Sequence, residues 1–171
     1  WFDMRAPRLR VFTEDARPFL RRTGERYDAI FVDAYRQPYI PFYMATKEFF
    51  ELARDRLRPG GRVIINVGHP EDSDTLEKVL TATMRAAFGD GRVWRDPVDD
   101  TNTILLATKG DVDPTERLRE VDLPSAVEPL AGDAAARLEP GLRGGSVYTD
   151  DRAPVEWLID HPELEGAVNL A

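Results

Sequence analysis

The chain has 171 residues, enough for one domain with a real hydrophobic core, and its 42% hydrophobic and 32% charged residues are ordinary for a globular protein. A formal net charge of -8 and a pI near 4.9 argue against a surface made for nucleic acid or anionic lipid. Cysteine is absent, which excludes disulfides, thiolate chemistry and cysteine zinc sites and suits a reducing, cytoplasmic setting.

In chain order, Arg8 to Phe12 (RLRVF) predicts a first short strand, followed by a turn and a short helix over 16–22. Tyr27 to Val32 predicts a second strand, with Ala29, Ile30, Phe31 and Val32 forming an apolar run buried on both faces. Thr46 can cap a helix whose apolar positions are Phe49, Phe50, Ala53 and Leu57, with Arg58-Pro59-Gly60-Gly61 as its stop. Arg62 to Val67 predicts a third buried strand.

The clearest helix spans 73–88, where Leu76, Val79, Leu80, Thr83, Met84, Ala87 and Phe88 fall on one face; Ser73 or Asp74 caps it and Gly89 ends it. Strands at 92–95 and 102–108 follow, joined as a hairpin by Asp96 to Asp100. The order βαβαβαββ predicts an α/β three-layer sandwich around a mostly parallel sheet with an antiparallel finish. Residues 1–110 form this unit. Residues 111–171 are expected to be an extension of helices (114–121 and 126–138) and loops packing on the same domain.

Asp33 ends the second strand abruptly. In open α/β sheets the ligand crevice lies at the carboxyl ends of the strands, so this carboxylate stands where chemistry is done. Asn66, Gly68 and His69 follow the third strand at the same edge, although His69 also reads as a surface histidine. The second histidine is far away at 161, which argues against a metal site. Asp99, Asp100 and Asn102 read as turn residues.

The phrases EDARPFL, YDAIFVDAY, FFELARDRLRPGGRVIINV and TDDRAPVEWL resemble the spermidine synthase-like branch of Rossmann-type methyltransferases, which contains the polyamine aminopropyltransferases. The likeness runs from about Arg8 to Leu158 and covers only the later part of such a domain. The first βαβ unit, with its glycine-rich loop and ribose-binding acid, has no counterpart. Gly60-Gly61 and Gly144-Gly145 do not open a helix and cannot replace it. With Trp1 in place of an initiator Met, the expectation is a truncated domain rather than a natural remnant, which would survive by dimerising.

The resemblance implies a transferase using an S-adenosylmethionine-derived sulfonium donor, either S-adenosylmethionine or its decarboxylated form, with no metal and a small-molecule, amine-like acceptor. It implies that Asp15 and the amide of Ala16 meet the adenine, while Asp15 alone reads equally as a helix N-cap. It makes Asp33 the base that takes the proton of the attacking amine. Tyr35, Gln37 and Tyr39 would line the acceptor site, with Asp151 as a further substrate contact beside a plainer capping role. The family's D-x-x-D-P pattern is broken, because Arg36 stands where the second acid belongs. A small-molecule methyltransferase and a non-catalytic interaction module remain open beside aminopropyl transfer. The isolated chain is expected to be weak or inactive.

Overall fold

A computed structural model describes residues 7–34 and 40–155. The elements are α1 (Ala16–Arg22), β1 (Tyr27–Val32), a 3-10 turn (Phe42–Met44), α2 (Lys47–Asp55), β2 (Leu57–Gly68), α3 (Thr75–Phe88), β3 (Val93–Asp99), β4 (Asn102–Thr108), α4 (Pro114–Glu120), α5 (Glu128–Arg137) and β5 (Glu139–Pro140). The strands form one sheet in the order β1-β2-β4-β3-β5.

Only β1 and β2 pair in parallel, with Ile30 opposite Val63 and Val32 opposite Ile65. The β3–β4 hairpin doubles back and inserts β4 between β2 and β3, so the other pairings among the described residues are antiparallel. The fold is α/β and Rossmann-like, but the described sheet is not mostly parallel. Its parallel part is one pair of strands.

Side-chain alternation gives the sheet two unlike faces. Val63, Ile65, Val67, Leu105, Ala107 and Val93 are buried on the side where α2 and α3 pack. The predicted stripe of α3 is buried in full. The opposite face carries Phe31, 73% exposed, and Val98, 50% exposed. Over β3 this face is met by α5, whose Arg137 forks onto Asp96 at 2.7 and 3.0 Å.

Two local expectations need correction. Residues 8–12 form no strand and are exposed. A strand needs a ladder partner, and among the described residues none lies beside the outer edge of β1. Phe12 instead stacks on Phe19 with ring centroids 4.9 Å apart. The second correction concerns Arg58 to Gly61, which does not stop α2. That helix ends at Asp55, and Leu57 already belongs to β2.

The glycine pair instead forms an irregularity in the β1–β2 ladder, where the register jumps between Tyr27↔Leu57 and Ala29↔Arg62. A Cβ on Gly61 would stand 3.0 Å from Arg58 O and 3.1 Å from Tyr27 O, so the close backbone approach there favours glycine.

Beyond α5 the tail returns to the core. Tyr148 and Val155 are buried in it. Tyr148 N–H donates to Thr83 Oγ1 at 3.0 Å, and Lys47 N–H donates to Tyr148 O at 2.8 Å. Gly145 enables this return, since its φ is +82° and a Cβ would fall 2.5 Å from the Lys78 carbonyl. No helix among the described residues is long and apolar enough to cross a membrane.

Candidate active site

Because β4 runs antiparallel to both β2 and β3, the carboxyl ends of β1, β2 and β3 share one edge of the sheet. Asp33 follows β1 directly and is exposed there. Its Oδ1 accepts a hydrogen bond from Asn66 Nδ2 at 3.3 Å. Together they line a cleft of about 400 Å³ whose apolar wall is Phe31, Ile64, Val98 and Ile104 and whose far side carries Asp99 and Asn102.

Asp99 is the last residue of β3 and pairs with Asn102, the first of β4, so both flank the hairpin turn at 100–101 rather than forming it. Its Oδ1 accepts from Thr101 N at 2.8 Å and from Thr101 Oγ1 at 2.9 Å. The Thr101 backbone bond, then its hydroxyl, holds the Asp99 carboxyl below its ordinary range. His69 is half-buried rather than a free surface residue, with both ring nitrogens engaged.

Asp15 occupies a second locus at the start of α1. It is the N-cap, with Oδ1 accepting from Arg17 N at 2.8 Å. Its Oδ2 accepts from the Tyr43 hydroxyl, also at 2.8 Å. Ala16 is the exposed first residue of that helix.

The sequence reading missed the groups behind Asp15. Arg17 is buried and donates to Tyr43 O at 2.8 Å and to Asp150 Oδ2 at 2.5 Å. Thr46 Oγ1 donates to Asp150 Oδ1 at 2.7 Å, and Asp150 N–H to Glu48 Oε2 at 2.9 Å. The Arg17 hydrogen bond is the largest influence on the Asp150 carboxyl and holds it below its ordinary value, against a smaller opposing effect of burial. Of the tail's acidic pair, then, Asp150 ties the molecule together and Asp151 is exposed in the turn bridged by Thr149 and Arg152. Tyr35, Gln37 and Tyr39 lie outside the described residues.

Glu77 was also missed. It is 1% exposed and receives Arg95 Nε at 2.6 Å, Arg95 Nη2 at 3.0 Å and Thr103 Oγ1 at 3.1 Å. The one sequence signal was a charged residue in phase with Leu80 and Met84 on the apolar stripe. Among the described residues, no three His, Cys, Asp or Glu side chains group so as to hold a metal.

The chain matches the spermine/spermidine synthase domain over residues 2–92. A probable polyamine aminopropyl transferase of Bifidobacterium longum is 33% identical across 88% of this chain and 38% of its own length. A probable spermidine synthase from Corynebacterium glutamicum superposes with a TM-score of 0.55 at 25% identity, over 84% of this chain and 57% of that one. A spermidine synthase solved with the transition state analogue AdoDATO has a TM-score of 0.55 at 20% identity, over 76% and 48%, a likeness of fold alone. The chain therefore spans well under two thirds of the length of these proteins. With more than half of its residues matched by the domain and a third of the aligned positions shared with a relative across 88% of the chain, the chain belongs to the spermine/spermidine synthase family.

Proposed function

We propose that the protein containing this chain transfers an aminopropyl group from decarboxylated S-adenosylmethionine to a small amine, with Asp33 as the base. The observation that carries this is an exposed carboxylate at the carboxyl end of β1, in an apolar-walled cleft, in a chain of this family. When bound, the donor supplies a carbon made electrophilic by the adjacent sulfonium and a neutral thioether as leaving group.

Asp33 serves the acceptor. An ammonium has no lone pair with which to attack, so the amine must lose a proton, and the Asp33 carboxylate takes it. Asn66 orients that carboxylate through Oδ1. The apolar wall of Phe31, Ile64 and Ile104 suits the methylene chain of an alkyl amine.

Asp15 and Ala16 suit the adenine. Each Asp15 oxygen accepts one hydrogen bond, and a carboxylate has about four lone-pair sites, which leaves capacity for an exocyclic amine. The N–H of a first helical residue has no partner inside its helix and is free to meet a ring nitrogen. Tyr35, Gln37, Tyr39 and Asp151 are proposed to complete the acceptor side.

Calorimetry on the full-length parent tests this reading with decarboxylated S-adenosylmethionine, S-adenosylmethionine and methylthioadenosine. The expected order places the decarboxylated donor and methylthioadenosine ahead of S-adenosylmethionine. Preference for S-adenosylmethionine would turn the reading toward methyl transfer, and binding of none would end it.

A further inference from the structure

Asp150 stands between the two elements that carry Asp15 and Tyr43. On one side Arg17 of α1 donates to its Oδ2 at 2.5 Å. On the other, Thr46 Oγ1, at the cap of α2, donates to its Oδ1 at 2.7 Å, and Glu48 in the first turn of α2 accepts its N–H at 2.9 Å. Arg17 and Thr46 are both buried. Asp150 thus couples α1 to the start of α2, and it is the tail that brings it there.

A closed ring of hydrogen bonds leads from Arg17 to Asp15. Arg17 N–H donates to Asp15 Oδ1, Arg17 Nη1 donates to Tyr43 O, and the Tyr43 hydroxyl donates to Asp15 Oδ2, each at 2.8 Å. The terminal torsion of an aspartate is broad, so its rotamer alone does not set the plane of the carboxylate. Two donors, one on each oxygen, do set it. The donor on Oδ2 comes from the 3-10 turn, which Arg17 ties to α1. Among the described residues the buried Arg17 Nε has no hydrogen-bond partner, so the guanidinium is held by Asp150 and Tyr43 O. Without Asp150, a buried cation keeps one neutral acceptor and is driven toward water.

We propose that Asp150 is a positioning residue for nucleotide recognition. By anchoring Arg17 it sets, through Tyr43, the plane in which Asp15 presents its remaining lone pairs, so that selectivity for adenine depends on the docked tail. The proposal rests on the reading of Asp15 as the adenine contact. An exocyclic amine donates along a fixed direction and meets a carboxylate well only when a lone pair lies on that line. Asp150 acts only through this chain of bonds. Its effect should therefore fall on the choice between an amino and an oxo purine, which a general loss of stability would not move.

Calorimetry on the full-length parent tests it with methylthioadenosine and with methylthioinosine, which carries an oxygen in place of the exocyclic amine. The native protein is expected to prefer methylthioadenosine. Asp150→Ala should cut that preference about tenfold, the order of one well-directed hydrogen bond to a charged group. Asp150→Asn keeps the side-chain shape and should move it the same way, which serves if Asp150→Ala folds poorly. Tyr43→Phe should cut the preference to a similar extent, and adding Asp150→Ala to it should cut no further, because both act on one oxygen. Additive losses, or a preference kept in both Asp150 variants but lost in Asp15→Asn, overturn the proposal and leave the adenine reading standing. A preference kept in Asp15→Asn ends both.

Discussion

Arg17 and Asp150, 133 residues apart along the chain, meet at 2.5 Å. Through this pair the tail is fastened to α1, and through Tyr43 the same arginine supports the residue that holds Asp15. Removing the anion leaves a buried cation short of a partner. Asp150→Ala is expected to lower stability by about 1–3 kcal/mol, below the roughly 3–5 kcal/mol of a fully buried pair because Asp150 is 40% exposed. Urea denaturation of the two chains measures the difference. A change near zero would show that water replaces Asp150 at no cost.

The same pair sets an acid limit. Folding depresses the Asp150 carboxyl below its ordinary value of 3.8, so its contribution is complete above that pH and is lost as pH falls through the lower, folded value. Tail detachment should therefore appear below about pH 3.8, and Asp150→Asn should remove that step. Hydrogen exchange of the Tyr148 amide, which Thr83 holds in the docked tail, gives the readout.

Tyr148 sets an alkaline limit. Burial raises its hydroxyl from 10.0 to about 12, because the phenolate would be left dry. The neutral form stabilises the fold fully below pH 10.0, and that contribution is lost as pH rises toward 12. The loss amounts to roughly 2–3 kcal/mol. Among the described residues the buried hydroxyl has no hydrogen-bond partner, so Tyr148→Phe should cost little at neutral pH and should flatten the alkaline slope. Denaturation curves taken across that pH range compare the two.

Glu77 joins α3 to β3 and β4 through Arg95 and Thr103. Glu77→Ala strands a largely buried guanidinium and opens a void, and is expected to cost about 3–5 kcal/mol. The double variant Glu77→Leu with Arg95→Met should recover much of this, since no charge is then left unpaired. Thermal unfolding of single and double variants decides it. If the double variant is no better than Glu77→Ala, packing rather than charge governs the site.

Two glycines with similar backbone angles should respond differently. Gly60, at φ +74°, has open space where a Cβ would go, whereas Gly145, at φ +82°, faces the Lys78 carbonyl. Gly60→Ala should cost about 1–2 kcal/mol from backbone strain alone. Gly145→Ala adds overpacking of about 1–3 kcal/mol and should loosen the tail. Equal costs in denaturant would refute the clash.

Asp33→Asn in the full-length parent should reduce the transfer rate by about 100-fold or more, in the range for a lost general base, while donor binding persists. An unchanged rate would remove Asp33 from the chemistry.

Local rules were legible where one segment settles its own structure. The period of α3 and its buried stripe, the caps of α1 and α2, and the apolar run of β1 ending in Asp33 all follow from spacing and capping. Tertiary structure decided what depends on partners distant in sequence. RLRVF has strand composition but no neighbouring edge to pair with. Arg58 to Gly61 looks like a helix stop and becomes a ladder irregularity because β1 lies against it.

At the site, sequence placed Asp33 at the crevice edge through a general rule about strand ends. It did not single out Arg17, Asp150 and Glu77, because a lone charged residue reads as surface until its counter-ion is known. Those counter-ions arrive from 133 residues away for Arg17 and from the next strand for Glu77. Burying a charge requires a partner, and only the assembled fold supplies one.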